Sequence, residues 1–296
     1  MRTLHSQLRL IQESLAVLYP DSVMRSAHAW WFIESAVGKT KTQLLAEHDF
    51  FLSARFIDHI AQMVQSHIKE HKPMAYIIGN VPFCGLTISV SAPTLIARPE
   101  TEEWCTYLLD ILQPYKTEPL MILDMCTGSG CIALALAAAL PKSQVWAADI
   151  DERACALVQK NAAHNNIKNI VVCQSDLFAN LKRSQKFDLI VSNPPYVTEL
   201  EWSNLHPSVT QWEDKKALVA ADDGFAFIEK IVKEGSLFLN RSSKICEKKL
   251  PQLMVEIGYK QSIRAQKIFI AENIEPLIWY DSANHGRVIC GILRIG

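Results

Sequence analysis

Asn193-Pro194-Pro195-Tyr196 is the stretch whose residue types are most suited to chemistry. Two consecutive prolines cannot donate to a sheet ladder, and each pushes the residue before it into extended geometry. The chain must therefore leave the preceding apolar run, Phe187-Asp188-Leu189-Ile190-Val191-Ser192, through a stiff, hydrogen-bond-poor turn. That run reads as a buried parallel strand, because its centre is branched and aliphatic without clean alternation. An amide side chain, two proline carbonyls and a phenol are then fixed at the carboxyl end of a strand, where open α/β sheets hold their ligands. A rigid polar cradle beside an aromatic ring suits holding a planar nitrogen group during attack. A proline turn that merely ends a strand is the plain alternative.

The elements upstream give the cradle a context. Leu120 to Asp124 reads as a strand, followed by the turn Met125-Cys126-Thr127-Gly128-Ser129-Gly130 and a helix from Cys131. A strand, a glycine turn and a helix bring backbone N–H groups close to a ligand. Val145 to Asp149 is a second strand, ending in an acid about two dozen residues beyond Asp124, where nucleotide sites bind ribose hydroxyls. Ile170 to Cys173 is the third strand, trailed by Ser175-Asp176-Leu177-Phe178, and the run ending at Asn193 is the fourth. Only Gly128 and Gly130 occur where a dinucleotide site carries three glycines, and no phosphate-binding loop is present. A nucleoside site followed by Asn-Pro-Pro-Tyr points to S-adenosyl-L-methionine and methyl transfer to a planar nitrogen.

Residues 1 to 73 read as a helical bundle. Leu4, Leu8, Ile11, Leu15 and Leu18 form one apolar stripe, Asp21 or Ser22 caps a second helix carrying Trp30 to Ile33, and Ile57, Ile60, Val64 and Ile68 form another stripe. Between Met74 and Val90 the period changes, and Ala75 to Ile78 with Leu86 to Val90 reads as a β-hairpin. In Arg98-Pro99-Glu100-Thr101-Glu102-Glu103, proline followed by acids is a helix start; the alternative is that Arg98 and the acids line a ligand entrance. Beyond Tyr196 we expect a helix from Phe225, a fifth strand at Gln252 to Glu256, and a closing hairpin of Ile278 to Tyr280 with Val288 to Ile292.

The bulk numbers narrow the class. The 296 residues are 49% hydrophobic and 21% charged, with a formal net charge of −1, so no basic excess favours nucleic acid. Eight cysteines form no C-x-x-C pair and no zinc pattern, which suits reduced thiols in a cytoplasmic protein and no metal. The first residues lack an apolar signal core, and the most apolar segment, Cys131 to Leu140, is too short to span a bilayer.

Over nearly its whole length the sequence resembles the HemK/PrmC family, N5-glutamine methyltransferases of peptide chain release factors. The resemblance is carried by Pro73 to Gly79, Arg98 to Glu102, Asp124 to Gly130, Ser175 to Phe178, Asn193 to Tyr196 and Glu256-Ile257-Gly258. Departures from the family pattern are Leu177 where a larger ring is common, Ala97, Glu213-Asp214 and Ala220-Ala221. The resemblance implies an α/β, Rossmann-like, seven-stranded methyltransferase domain over 94–296. A helical substrate-docking domain over 1–73 and a hairpin linker over 74–93 would precede it. It implies that Cys126, Thr127, Gly128, Ser129, Gly130, Asp149, Leu177 and Asn193 bind S-adenosyl-L-methionine. It implies further that Asn193, Pro194, Pro195 and Tyr196 hold the substrate glutamine and carry catalysis. The implied partner is the glutamine-bearing loop of a class I release factor, met by a monomer without nucleic acid or membrane. Alternatives are a ribosomal-protein glutamine, an amino group on adenine N6 or guanine N2, and a non-enzymatic binding scaffold.

Overall fold

The computed structural model describes residues 2–47 and 50–294. The outer limits of the expected domains, residue 1 and residues 295–296, lie outside that range. The chain divides into two compact units: one runs to Gly79 and takes in His206–Trp212, and the other holds Asn80–Leu205 and the remainder from Glu213.

In the first unit, β1 (Arg2–Thr3) precedes α1 (Leu4–Leu15), whose Leu8, Ile11 and Leu15 are buried while Leu18 falls beyond its end. Asp21 caps α2 (Ser22–Val37) by accepting from the Met24 N–H at 2.8 Å, and Gly38 closes it at φ 72°. Trp30, Phe32 and Ile33 enter the core, whereas Trp31 stays on the solvent side. Helix α3 (Lys41–Ala46), strand β2 (Phe51–Leu52), which pairs with β1, and α4 (Ala54–Lys69) complete the bundle, with Ile60 and Val64 buried. The expected strand over Ala75 to Ile78 is instead a short helix, α5 (Met74–Ile78). Pro73 stands at its N-cap, and Gly79 at φ 89° returns its N–H to the Ala75 carbonyl, a helix stop.

The hairpin is β3 (Asn80–Phe83) and β4 (Leu86–Ser89), turning at Cys84-Gly85. Helix α6 (Pro99–Leu112) follows, with proline in its first turn beside Glu100 and Glu102, the helix-start reading of that cluster. Strands and helices then alternate: β5 (Met121–Met125), α7 (Cys131–Ala139), β6 (Gln144–Asp149), α8 (Glu152–His164), β7 (Ile170–Gln174), β8 (Leu189–Ser192). The short helices α9 (Glu199–Ser203) and α10 (Pro207–Thr210) lead to α11 (Ala226–Ser236), α12 (Lys244–Glu247), β9 (Leu253–Glu256) and α13 (Ser262–Ala271). Strands β10 (Ile274–Tyr280) and β11 (Gly286–Leu293) are the expected closing hairpin.

The seven strands lie in the order β10-β11-β9-β8-β5-β6-β7, with β11 antiparallel to both of its neighbours and the pairs from β9 to β7 all parallel. The expected Rossmann-like α/β architecture is therefore present. Chain order reverses between β5 and β8, so a crevice opens at their carboxyl ends. The segment His206–Trp212, expected in the carboxyl-terminal domain, belongs instead to the helical unit. There the Trp212 indole N–H donates to the Glu70 carbonyl at 2.8 Å, and His206 meets His71 edge-on. Among the described residues no helix is long and apolar enough to cross a membrane.

Candidate active site

Register brings the two turns singled out in the sequence together. Met125 of β5 lies opposite Ser192 of β8, and the Ser192 hydroxyl donates to the Met125 carbonyl at 2.6 Å. The glycine turn and the Asn-Pro-Pro-Tyr turn therefore leave the sheet side by side at its switch point. On the other flank Met125 pairs with Ala148, which places Asp149 at the rim of the same crevice.

The glycine turn is held from below. The Thr127 hydroxyl donates to Asp124 Oδ2 at 2.6 Å, and the Ala133 N–H reaches the same oxygen at 3.0 Å. Asp124 is fully buried, and its Oδ1 finds no hydrogen-bond partner among the described residues. Burial pushes this carboxyl up from 3.8 to about 7. Sequence reasoning treated Asp124 only as a strand end; an acid closing an apolar strand before a glycine turn was the signal.

Cys126 and Gly128 have φ of 60° and 55°, Gly130 of 81°. A Cβ on Gly130 would come within 2.9 Å of Val158 Cγ2, so that glycine permits close packing of α8; one on Gly128 would enter open space. The Gly128 N–H donates to Asp149 Oδ2 at 2.8 Å and the Asp151 N–H to Oδ1 at 3.0 Å, orienting a half-buried carboxylate at the rim. Ile150, beside it, is 64% exposed, an apolar surface that sequence reasoning missed. Thr127 and Ser129 are buried beneath the turn, and Cys126 is half-buried. Leu177 is also buried, with φ 47°, and lines a 660 Å³ groove with Phe178, Arg183 and Lys230.

In the second turn Pro194 and Pro195 are buried, while Asn193 and Tyr196 are half-buried. Asn193 Nδ2 donates to Thr101 Oγ1 at 3.2 Å. The Thr101 hydroxyl donates to Glu256 Oε2 at 2.8 Å, as does the Trp104 indole N–H, and the Tyr196 hydroxyl donates to Glu256 Oε1 at 3.1 Å. Burial raises the Glu256 carboxyl despite these three donors, and burial followed by the Glu256 charge raises the Tyr196 phenol. Behind the turn Gln261 Nε2 donates to the Tyr196 carbonyl at 3.1 Å and to that of Asp223 at 3.2 Å. Thr101, Trp104, Glu256 and Gln261 were not assigned roles from the sequence. The Arg98 guanidinium meets Glu213 at 2.6 Å, so Arg98 is spent on an ion pair with a carboxylate of 1% side-chain exposure.

Residues 92–210 match the family pattern described as Methyltransferase small domain. A release factor glutamine methyltransferase of Flavobacterium psychrophilum is 39% identical over 186 residues, 62% of this chain and 65% of that protein. The Fusobacterium nucleatum protein of the same name is 36% identical over 78% of this chain and 62% of its own length. The chain thus spans under two thirds of these two relatives. Among solved structures, the hMettl16 catalytic domain in complex with a 3′UTR hairpin superposes at TM-score 0.53 and 15% identity, covering 81% of this chain and 82% of that one. That likeness shows the fold. A Vibrio cholerae protein, again a release factor glutamine methyltransferase, is 33% identical over 98% of this chain and 96% of its own, and on this match the chain belongs to the release factor glutamine methyltransferase family.

Proposed function

We propose that this chain transfers a methyl group from S-adenosyl-L-methionine to the side-chain amide nitrogen of a glutamine in a class I peptide chain release factor. The observation that carries the reading is the register of Met125 against Ser192, which sets the Asn193 turn next to the glycine turn. The pocket suits the cofactor. Asp124 Oδ1, buried without a partner, is an acceptor fit for a cationic amino group. Asp149 stands at the rim for ribose hydroxyls, Gly128 leaves its approach open, and exposed Ile150 offers an apolar face to a purine. Leu177, buried next to Asp176, completes the purine side.

When bound, S-adenosyl-L-methionine supplies an activated sulfonium methyl. The chain's own task is to hold a poor nucleophile, since the amide lone pair is delocalised into its carbonyl. Asn193 Oδ1 and the Pro194 carbonyl each accept one N–H of the substrate amide. Two fixed acceptors favour the nitrogen as it pyramidalises and gains positive charge, which is preferential stabilisation of the transition state; the methylated nitrogen, now strongly acidic, then loses one proton to solvent with no dedicated base. Pro194 and Pro195 keep the turn stiff, and Tyr196, tied by its hydroxyl to Glu256, presents its ring to the amide plane. Alignment of this kind contributes on the order of 7–11 kcal/mol. The helical unit docks the release factor; its surface carries Val17, Val23, Met24 and Trp31.

The test is incubation with labelled S-adenosyl-L-methionine and, in separate arms, a class I release factor, ribosomal proteins and RNA. Label on a release-factor glutamine, located by mass spectrometry, is the expected result. Label confined to ribosomal protein or RNA would replace the substrate, and none in any arm would remove the activity.

A further inference from the structure

Asn193 is useful to a substrate amide only if its oxygen, not its NH₂, faces the acceptor site. Nothing in the turn Asn193-Pro194-Pro195 decides this, because a carboxamide rotated by half a turn occupies the same space. The decision comes from outside the turn. The Trp104 indole N–H is a donor and nothing else, so the atom it meets, Glu256 Oε2, must accept. Glu256 as a carboxylate has no proton to give, so the Thr101 hydroxyl at 2.8 Å must donate to that same oxygen. The single hydroxyl proton of Thr101 is then committed, and Thr101 Oγ1 is left with lone pairs only. Those lone pairs take an N–H from Asn193 Nδ2 at 3.2 Å. Rotating the carboxamide would set its oxygen against an oxygen without a proton. Burial raises the Glu256 carboxyl, while the Trp104, Thr101 and Tyr196 donors aimed at its two oxygens, and then the Arg287 charge, act in favour of the ionised form.

We propose that Thr101 and Glu256 are positioning residues which, with Trp104, fix the polarity of the Asn193 carboxamide and so direct Asn193 Oδ1 at the substrate nitrogen. This rests on the methyl-transfer reading above. The relay needs an acceptor at Oε2, not a charge. A glutamine at 256 supplies one: its oxygen faces Trp104 and Thr101, while its NH₂ meets a Tyr196 hydroxyl that rotates to accept.

The experiment measures kcat and KM with a release factor, together with calorimetric affinity for S-adenosyl-L-methionine, on Thr101→Val, Thr101→Ser, Glu256→Gln and Glu256→Leu. Thr101→Val keeps the shape and removes the hydroxyl; it should lower kcat on the order of 10²-fold, the scale of a misplaced catalytic group. KM and cofactor affinity should stay within about threefold of wild type, well short of that loss. Thr101→Ser and Glu256→Gln should retain kcat within about tenfold, because each keeps the donor–acceptor pattern. Equal kcat in Thr101→Val and wild type would overturn the relay, as would a Glu256→Gln loss as large as that of Glu256→Leu. If Glu256→Leu does not fold, the Thr101 pair decides alone. A wild-type protein inactive on every glutamine substrate would instead defeat the parent reading, a result distinct from any of these.

Discussion

At the scale of single residues, Asn193 and Asp124 bear the sharpest consequences. On the proposed reading, Asn193→Ala removes one acceptor at the substrate nitrogen and leaves the glycine turn untouched. Turnover should fall by about 10²–10³-fold, the cost of one group preorganised for the transition state. Affinity for S-adenosyl-L-methionine by calorimetry should change little, and unchanged turnover would refute the role. Asp124 makes a prediction about pH. Its carboxyl holds a proton up to about 7 when folded, against 3.8 as the ordinary value. Its contribution to stability is therefore complete below the ordinary value and is lost as pH rises through about 7. Asp124→Asn should flatten that decline in melting temperature. The substitution also fits the site, since its oxygen can take the Thr127 and Ala133 donors and its NH₂ can occupy the position of the unpartnered Oδ1. It should nevertheless bind the cofactor more weakly if, as proposed, this position receives the cationic amino group, because an NH₂ would then face it. In the wild type, cofactor affinity should rise with pH toward neutrality. A variant that binds as well as wild type would show that Asp124 only supports the turn.

At the scale of elements, the turn at Asn193 depends on a neighbour distant in sequence. Gly224 has φ 85°, and a Cβ there would lie 2.1 Å from the Tyr196 carbonyl oxygen and 2.5 Å from Gln261 Nε2. Gly224→Ala must move the turn or break the Gln261 contacts; a loss of about 3 kcal/mol in denaturant unfolding is expected, with activity falling in parallel. The parts legible in the sequence were those with local causes. Pro194-Pro195 ending a strand, glycines opening α7 and an acid closing β6 each announce themselves within a few residues. The partners of Glu256 do not: Thr101 and Trp104 stand 155 and 152 positions away, and only the order of the sheet brings them near. The strand expected over Ala75 to Ile78 failed for another reason. A short apolar run has no diagnostic period, and the framing Pro73 and Gly79, which specify a helix, carried the decision. Likewise the cluster from Arg98 to Glu103 read either as a helix start or as a ligand entrance; α6 begins there at Pro99, and the pairing of Arg98 with Glu213, 115 positions away, had no local signal.

At the scale of the whole molecule, the two units share one continuous chain that passes from the second to the first at His206 and returns at Glu213. The sequence marks neither crossing, since His206 to Trp212 mixes polar residues with Pro207 and Val209 and its Trp212 reads as any aromatic. The hairpin of β3 and β4 shows how an exposed strand is managed in the second unit. Thr87 N–H and carbonyl bond the Asn165 carboxamide at 3.1 and 2.9 Å, and those of Ser89 bond the Asn161 carboxamide at 2.8 and 3.0 Å. Asn161 on α8 and Asn165, the residue that caps α8 at its carboxyl end, thereby imitate a neighbouring strand along the outer rim of β4. Asn161 also holds the Ser129 carbonyl at 2.9 Å. With both asparagines changed to alanine, that rim would be free to template pairing with another chain, the hazard an unprotected sheet edge carries. Light scattering on heating should then report aggregates at a lower temperature for the doubly substituted protein than for wild type. These two side-chain amides would thus act as a built-in guard of solubility.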